Sequence, residues 1–255
     1  MNTFLNKLSY ARSLLITAPL IFLYTGIMGS LSVASSLLDS RGRFQHACAR
    51  IWARMILWTA RVRVRVRGVE HLKRGRPYVL CVNHQSHMDI PIILTALPFR
   101  FRFAAKKDLF RYPFLGWHLR RSGHVPIDRG NPHAAVKSLR DAGERIKDGT
   151  PILIFPEGGT SRDGKIKPFK GGGFMLATYS KAEVVPMTIR GSRAVLVPKT
   201  YHVRGGAVEV IVGEPIPSED VPAAELANRV REEILATFNY GKTLDRNSYS
   251  LSRKI

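Results

Sequence analysis

A histidine followed five positions later by an aspartate has a clear chemical use. His84 and Asp89 stand so in Asn83-His84-Gln85-Ser86-His87-Met88-Asp89, between an apolar run that reads as a buried strand and Pro91-Ile92-Ile93-Leu94, the start of an apolar helix. If the segment folds back, the aspartate accepts a hydrogen bond from one imidazole nitrogen and leaves the other to take a proton. That is a base and its orienter without a nucleophile, since the chain has no G-x-S-x-G elbow and no S-x-x-K. The nucleophile would then come from a substrate. His84 and His87 have nothing nearby to complete a metal site, and Cys81 sits mid-strand in an apolar run.

Two further stretches also follow strand-like runs. Phe155-Pro156-Glu157-Gly158-Gly159-Thr160-Ser161-Arg162 is a glycine-rich turn. Such a turn exposes backbone N–H groups that can hold an anion, with Glu157 placed for a hydroxyl or an ammonium. An ordinary turn explains the glycines as well. Gly159 to Lys165 also matches the start of a nucleotide phosphate loop, but Ile166 stands where its hydroxyl residue belongs and Pro168 opposes the helix that must follow. Gly123-His124-Val125-Pro126-Ile127-Asp128-Arg129 ends in a cation at a sheet edge. Arginine there suits two-pronged phosphate binding, or simply pairs with Asp128.

The elements that must carry these residues alternate. Arg61–Arg67 reads R-V-R-V-R-V-R, a strand with valines inward and arginines outward. Further strands are expected at 78–82, 101–105, 124–127, 151–155, 184–189 and 207–212. Helices are expected from Asn131, with Pro132 at its first position, to Gly149, from about 173 to 181, and from about 222 to 240. Strands interleaved with helices predict an α/β fold with a mixed, largely parallel central sheet covered by helices. The predicted organisation is an N-terminal membrane-anchoring helical hairpin over 1–60, an α/β domain over 61–240 and a loose polar tail over 241–255.

Charge narrows the partners. The 255 residues hold 40 Lys+Arg against 19 Asp+Glu, a net charge of +21. Between Arg41 and Arg129 there are 19 basic residues and 4 acidic ones, whereas the segment from Tyr201 onward is near neutral. One face or edge therefore meets an anionic partner. A chain 45% hydrophobic is not disordered, and two cysteines exclude a disulfide scaffold. From Ser13 to Leu38 no residue is charged. That length suits a retained membrane anchor; a cleaved signal peptide and a buried core helix are the rivals. Lys7 and Arg12 precede the run and Arg41, Arg43, Arg50 and Arg54 follow it, so both flanks favour the cytoplasmic side. An apolar helix paired with an interfacial helix around Phe44, Ile51, Trp52 and Trp58 satisfies both flanks. A single span is the alternative. Pro19, Gly26 and Gly29 would ease a bend. A nucleic-acid partner would leave this apolar run unexplained.

Together the motifs resemble the glycerolipid acyltransferases, most closely the 1-acylglycerol-3-phosphate (lysophosphatidic acid) acyltransferases. Asn83-His84 through Asp89 is similar to that family's N-H-x4-D block, Gly123–Arg129 to its second block and Phe155–Gly158 to its third. Val185-Pro186-Met187-Thr188-Ile189 resembles its fourth, and Ala105-Lys106-Lys107-Asp108-Leu109 and Phe169-Lys170-Gly171 also have counterparts. The resemblance implies direct acyl transfer from acyl-CoA or acyl carrier protein to the free secondary hydroxyl of a lysophospholipid, giving phosphatidic acid, with no cofactor beyond that co-substrate and no metal. It implies His84 as base and Asp89 as its orienter. Arg129 and Lys106 would hold the phosphate, and Glu157 and Gly158 would shape the glycerol site. The family's third block continues Gly-Thr-Arg-Ser. Here Thr160 stands where that arginine would be, and Arg162 recovers the charge if the loop bulges at Gly159. Other acceptors (another lysophospholipid, an ornithine lipid precursor or glycerol-3-phosphate) would use the same chemistry. Anionic membrane lipids are the expected surroundings, in the cell's inner membrane with the active site on the cytoplasmic face.

Overall fold

The computed structural model describes residues 3–36, 39, 42–128, 138, 142–143, 146 and 149–251, without the side chains of residue 3 and residues 241–251. Seven strands form one sheet: β1 Val62–Arg67, β2 Tyr78–Val82, β3 Arg102–Lys106, β4 Val125–Ile127, β5 Ile152–Ile154, β6 Glu183–Arg190 and β7 Gly206–Val212. Their order is β1-β7-β6-β2-β5-β3-β4. Every neighbouring pair is parallel except β6–β7. Five strands therefore point their carboxyl ends at one edge, and β1 and β7 run the other way.

Side-chain alternation along the central strands builds two cores. Tyr78, Leu80 and Val82 of β2 face one side, with Ala53, Ile56 and Leu57 of the helix Arg43–Thr59 and Ile92 and Ile93 of the helix Asp89–Ala96. Val79 and Cys81 face the other, with Phe174 and Leu176 of the helix Gly172–Ser180 and Leu226, Val230 and Ile234 of the C-terminal helix. A buried sheet explains why these strands read as continuous apolar runs. The chain is thus α/β, with a mixed, mostly parallel sheet covered by helices. On the edge strand β1 the arginines are exposed and Val62 is buried. The C-terminal helix, Ala223–Leu251, runs past Tyr240, where a loose tail was expected. The expected helix 131–149 falls largely outside the described residues; Ser138, Ala142, Gly143 and Ile146 within it are helical, and Ala142 and Ile146 are buried.

The N-terminal segment forms two antiparallel helices. The first comprises Thr3–Arg12, a π-turn Ser13–Thr17 and Ala18–Ser35. The second, Arg43–Thr59, is capped by Asp39, whose Oδ2 accepts the N–H groups of Arg43 (2.6 Å) and Phe44 (3.0 Å). Trp52 Nε1 donates to Thr25 Oγ1 at 3.1 Å, and Tyr24 and Thr59 meet through their hydroxyls at 3.3 Å. The first helix continues unbroken through Gly26 and Gly29. At Gly29 a Cβ would lie 2.9 Å from Phe114 Cβ, so the glycine serves the close approach of the segment before the helix Leu115–Arg121. Phe4–Ser35 is long and apolar enough to cross a membrane, and it is scarcely buried. That exposure removes the buried-core-helix alternative.

Three histidines fill the seam between these helices and the sheet. His46 lies on the second helix, edge-on to Phe101 with ring centroids 5.5 Å apart. His118 Nδ1 meets Ser32 Oγ of the first helix at 2.6 Å. His124 Nδ1 accepts the Phe103 N–H at 2.8 Å, which requires the neutral ring. Burial, reinforced by the Arg102 guanidinium, lowers His46 and His118 to about 4 and pushes His124 well below its ordinary value. For His46 and His118 the unfolded chain takes the proton near 6.5 and the folded chain only near 4, so acid favours unfolding between those values. Each of these two histidines contributes a loss of about 1.4 kcal/mol per pH unit in that window. Urea unfolding of the detergent-solubilised protein from pH 7 to 4.5 should show this slope, and His118→Gln should make it shallower. An unchanged slope in His118→Gln would exclude this histidine as a source of acid lability.

Candidate active site

The carboxyl edge of the five parallel strands gathers every motif that the structure describes. β2 ends at Val82, and Asn83 then bonds both backbone groups of Ile189 on β6: its Nδ2 donates to the carbonyl at 3.0 Å, and its Oδ1 accepts the N–H at 2.7 Å. This fixes the direction in which the chain leaves the sheet. Four residues of turn return it to Asp89, the first residue of its helix. Asp89 is fully buried, and its Oδ2 accepts three hydrogens, from His84 Nδ1 at 2.9 Å and from the N–H groups of Gln85 at 2.7 Å and Ser86 at 2.9 Å. A carboxylate that accepts from Nδ1 makes that nitrogen the protonated one and leaves a lone pair on Nε2. Among the described residues, nothing bonds to Nε2. His87 is exposed. No group of three His, Cys, Asp or Glu side chains among the described residues is placed to hold a metal ion.

The glycine-rich loop after β5 holds His84 from its other side. The Phe155 ring stacks on the imidazole with centroids 4.0 Å apart. Glu157 is buried; its Oε1 accepts the His84 N–H at 2.7 Å, and its Oε2 accepts the Lys167 N–H at 3.0 Å. The Ser161 N–H donates to the His84 carbonyl at 2.8 Å. Both backbone groups of His84 are thus fixed by one loop. Burial raises the Glu157 carboxyl, opposed by these same N–H groups. Both Glu157 oxygens are taken up by backbone N–H groups, so the side chain joins two loops.

Gly158 adopts φ 72°, and a Cβ there would lie 2.8 Å from Lys170 Cε, so the Lys170 stem packs directly over the turn. The left-handed turn falls at Gly158 and not at Gly159, and Arg162 is exposed. Thr160 is half-buried and its carbonyl accepts Lys167 Nζ at 3.0 Å. The loop is pinned by a residue that the motifs did not flag. Arg193 Nη1 and Nη2 donate to the carbonyls of Ser161 at 2.8 Å and Arg162 at 2.6 Å. Arg193 sits just past β6, after Gly191 with φ 86°. A glycine followed by an arginine at the end of a buried strand was the available signal. Lys106 ends β3 beside Asp108, with which it pairs, and Lys107 Nζ lies 3.4 Å from Asp128 at the end of β4. Arg129 lies outside the described residues.

Aromatic rings connect this site to the N-terminal helices. Phe155 stacks on Phe103 (6.4 Å), Phe103 packs edge-on against Phe101 (5.1 Å), and Phe101 meets His46 of the second helix. The row runs from the helical pair to His84.

Comparison with known proteins adds to this geometry. The acyltransferase family pattern matches residues 63–190. A chloroplast 1-acyl-sn-glycerol-3-phosphate acyltransferase of Brassica napus is 32% identical over 198 residues, covering 76% of this chain and 57% of its own length. The 1-acyl-sn-glycerol-3-phosphate acyltransferase of Saccharomyces cerevisiae is 30% identical over 237 residues, covering 90% and 77%. The chain thus spans little more than half the length of the plant relative. The crystal structure of the 1-acyl-sn-glycerophosphate (LPA) acyltransferase of Thermotoga maritima superposes with a TM-score of 0.81 at 26% identity, covering 93% of this chain and 98% of that one.

Glu157→Ala tests the brace beneath His84. It leaves two backbone N–H groups without partners, each worth about 1–3 kcal/mol when buried. Thermal unfolding in detergent should report a loss of that order. A melting temperature equal to the wild type's would show that Glu157 does not hold the two loops together.

Proposed function

Because this chain belongs to the acyltransferase family, we propose that it moves a fatty acyl chain from acyl-CoA or acyl carrier protein to the free secondary hydroxyl of 1-acylglycerol-3-phosphate, giving phosphatidic acid. The observation that carries this reading is a nearly buried histidine with its Nδ1 engaged by a buried carboxylate and its Nε2 bonded to no described protein group. A base so placed activates a hydroxyl brought by the substrate.

In this mechanism His84 Nε2 takes the proton of the lysophospholipid hydroxyl. The oxygen attacks the thioester carbonyl, the C–O bond forms, and the C–S bond breaks. The proton then passes from Nε2 to the departing thiolate. Asp89 fixes the ring and stabilises the imidazolium formed on the way. Phe155 covers one face of the ring and keeps water from it. Lys106, the last residue of β3, and Arg129 are assigned to the acceptor phosphate, with Gly158 giving the loop its close turn. The reaction asks for no metal and no cofactor beyond the thioester itself. Arg162 is not assigned to the phosphate, because nothing in its exposed position favours that role.

The membrane supplies the acceptor. Leu15, Phe22 and Trp58 are each at least three-quarters exposed or close to it, at 78%, 74% and 80%. They support seating the helical pair in the cytoplasmic leaflet of the cell membrane, among anionic lipids, with the site facing the compartment where thioester donors occur.

Two substitutions test the reading. His84→Ala should lower kcat for lysophosphatidate by about 10²–10⁴-fold, the usual contribution of a positioned base, and Asp89→Asn should lose most activity by favouring the wrong tautomer. Activity of His84→Ala within about tenfold of wild type would remove His84 as the base. Arg129→Ala should raise KM for lysophosphatidate by about 10- to 150-fold, the worth of a charge-assisted pair, and leave the donor KM near wild type. An unchanged acceptor KM would take the phosphate away from Arg129.

A further inference from the structure

A second cationic recess lies at the same edge of the sheet as the histidine site but is separate from it. The segment after β6 leaves the site at Leu196, whose carbonyl accepts the Ser86 hydroxyl at 2.7 Å, and crosses to the first helix. There Ser13, buried at the start of the π-turn, bonds Val203 both ways: it donates to the carbonyl at 2.8 Å and accepts the N–H at 3.0 Å. The wider π-turn delivers Ser13 inward, a distortion often associated with functional positions. Between helix and segment opens a cleft of about 450 Å³, lined by Tyr10, Lys199, Thr200, Tyr201, His202 and Arg204 among others.

The cleft is built for negative charge. Lys199 and Arg204 line it, Arg12 donates to the Val203 carbonyl beside it at 3.3 Å, and no acidic side chain lines it. The Nε donors of Arg12 and Arg204 are buried and have no partner. Atoms so enclosed do not face the cleft, so the charge that a ligand meets there is that of the lining Lys199 and Arg204 side chains. His202 does not add charge. Its Nδ1 faces Arg204 Nη2 at 3.4 Å and its Nε2 faces Ser9 Oγ at 3.1 Å, an arrangement that uses the neutral ring, and burial together with Arg204 and Arg12 lowers its affinity for a proton. Tyr10 packs edge-on against His202, and Tyr201 is 67% exposed at the rim. Guanidinium and ammonium groups beside exposed aromatic rings match a phosphate ester carrying an organic group.

We propose that this cleft is a phosphate-binding site distinct from the His84 site, used either by the nucleotide phosphates of a coenzyme A thioester or by the phosphate of an anionic lipid headgroup. The nucleotide source rests on the acyl-transfer reading; the lipid source does not. The short strap from Leu196 to Lys199 suits the first, since it places the cleft next to the loop that carries His84. The apolar helix that forms one wall suits the second.

The test uses the full chain in detergent, with Lys199→Glu and Arg204→Gln, and Lys73→Glu as a control at the opposite edge of the sheet. Lys199 is exposed, so its reversal leaves the fold intact even if Arg204→Gln does not. The probes are coenzyme A against phosphate-free pantetheine, and vesicles of phosphatidylcholine with and without phosphatidylglycerol. A loss of about tenfold or more in coenzyme A affinity, with pantetheine unaffected, assigns the site to the nucleotide. A similar loss confined to the phosphatidylglycerol vesicles assigns it to the headgroup. No loss for either probe, or an equal loss in Lys73→Glu, overturns the proposal. These are equilibrium measurements, so they stand apart from turnover. If the wild type makes no phosphatidic acid, the acyl-transfer reading fails while the cleft is still decided.

Discussion

A buried carboxylate needs hydrogen-bond donors, and Asp89, which gathers all of its donors on one oxygen, imposes that condition on the whole carboxyl edge of the sheet. Its Oδ2 collects three hydrogens, two from backbone and one from His84. The backbone donors require a tight turn between β2 and the following helix. The turn requires a fixed exit from the sheet, which Asn83 provides by bonding Ile189. Glu157 repeats the same logic from the opposite loop, with backbone N–H groups on both oxygens. Two inward carboxylates therefore hold the imidazole between them, one through its ring and one through its main chain. The arrangement is preorganised, and its cost is met by hydrogen bonds already made in the folded state.

What the sequence disclosed follows from how local each signal is. The alternation of Arg61–Arg67, the apolar runs of β2 and β5 and the helix near 173–181 are short-range patterns, and these appear as expected. His84 and Asp89 were legible as a pair because the six residues between a strand and a helix leave few ways to fold. The direction of Glu157 was not legible, because its partners lie 73 and 10 positions away and only the packed loop brings them in. Arg193 was missed for the same reason: its targets are 32 and 31 residues distant, and they are carbonyls, which any residue offers. The turn at Gly158 in place of Gly159 reflects the Lys170 stem packed over it, a tertiary contact. The length of the C-terminal helix beyond Tyr240 went unread because its polar sequence lacks an apolar stripe to mark it.

The N-terminal helices and the sheet meet through polar groups as well as apolar ones. Ser13, Ser32, His46, His118 and His124 are placed where a purely greasy seam would also have packed. Each hydrogen bond there has one geometry, whereas apolar contact tolerates sliding, so the polar seam fixes the register of the helices on the domain. The neutral state of the histidines is part of that fit, since a proton on any of them adds charge beside Arg102.

The row of rings from His46 through Phe101, Phe103 and Phe155 to His84 then acquires a geometric meaning. Stacked and edge-on rings resist compression, so His84 stands at a set elevation above the helical pair. With that pair seated in a leaflet, the elevation becomes a gauge measured from the bilayer itself. In the proposed reaction, an acceptor hydroxyl reaches His84 by rising to that height.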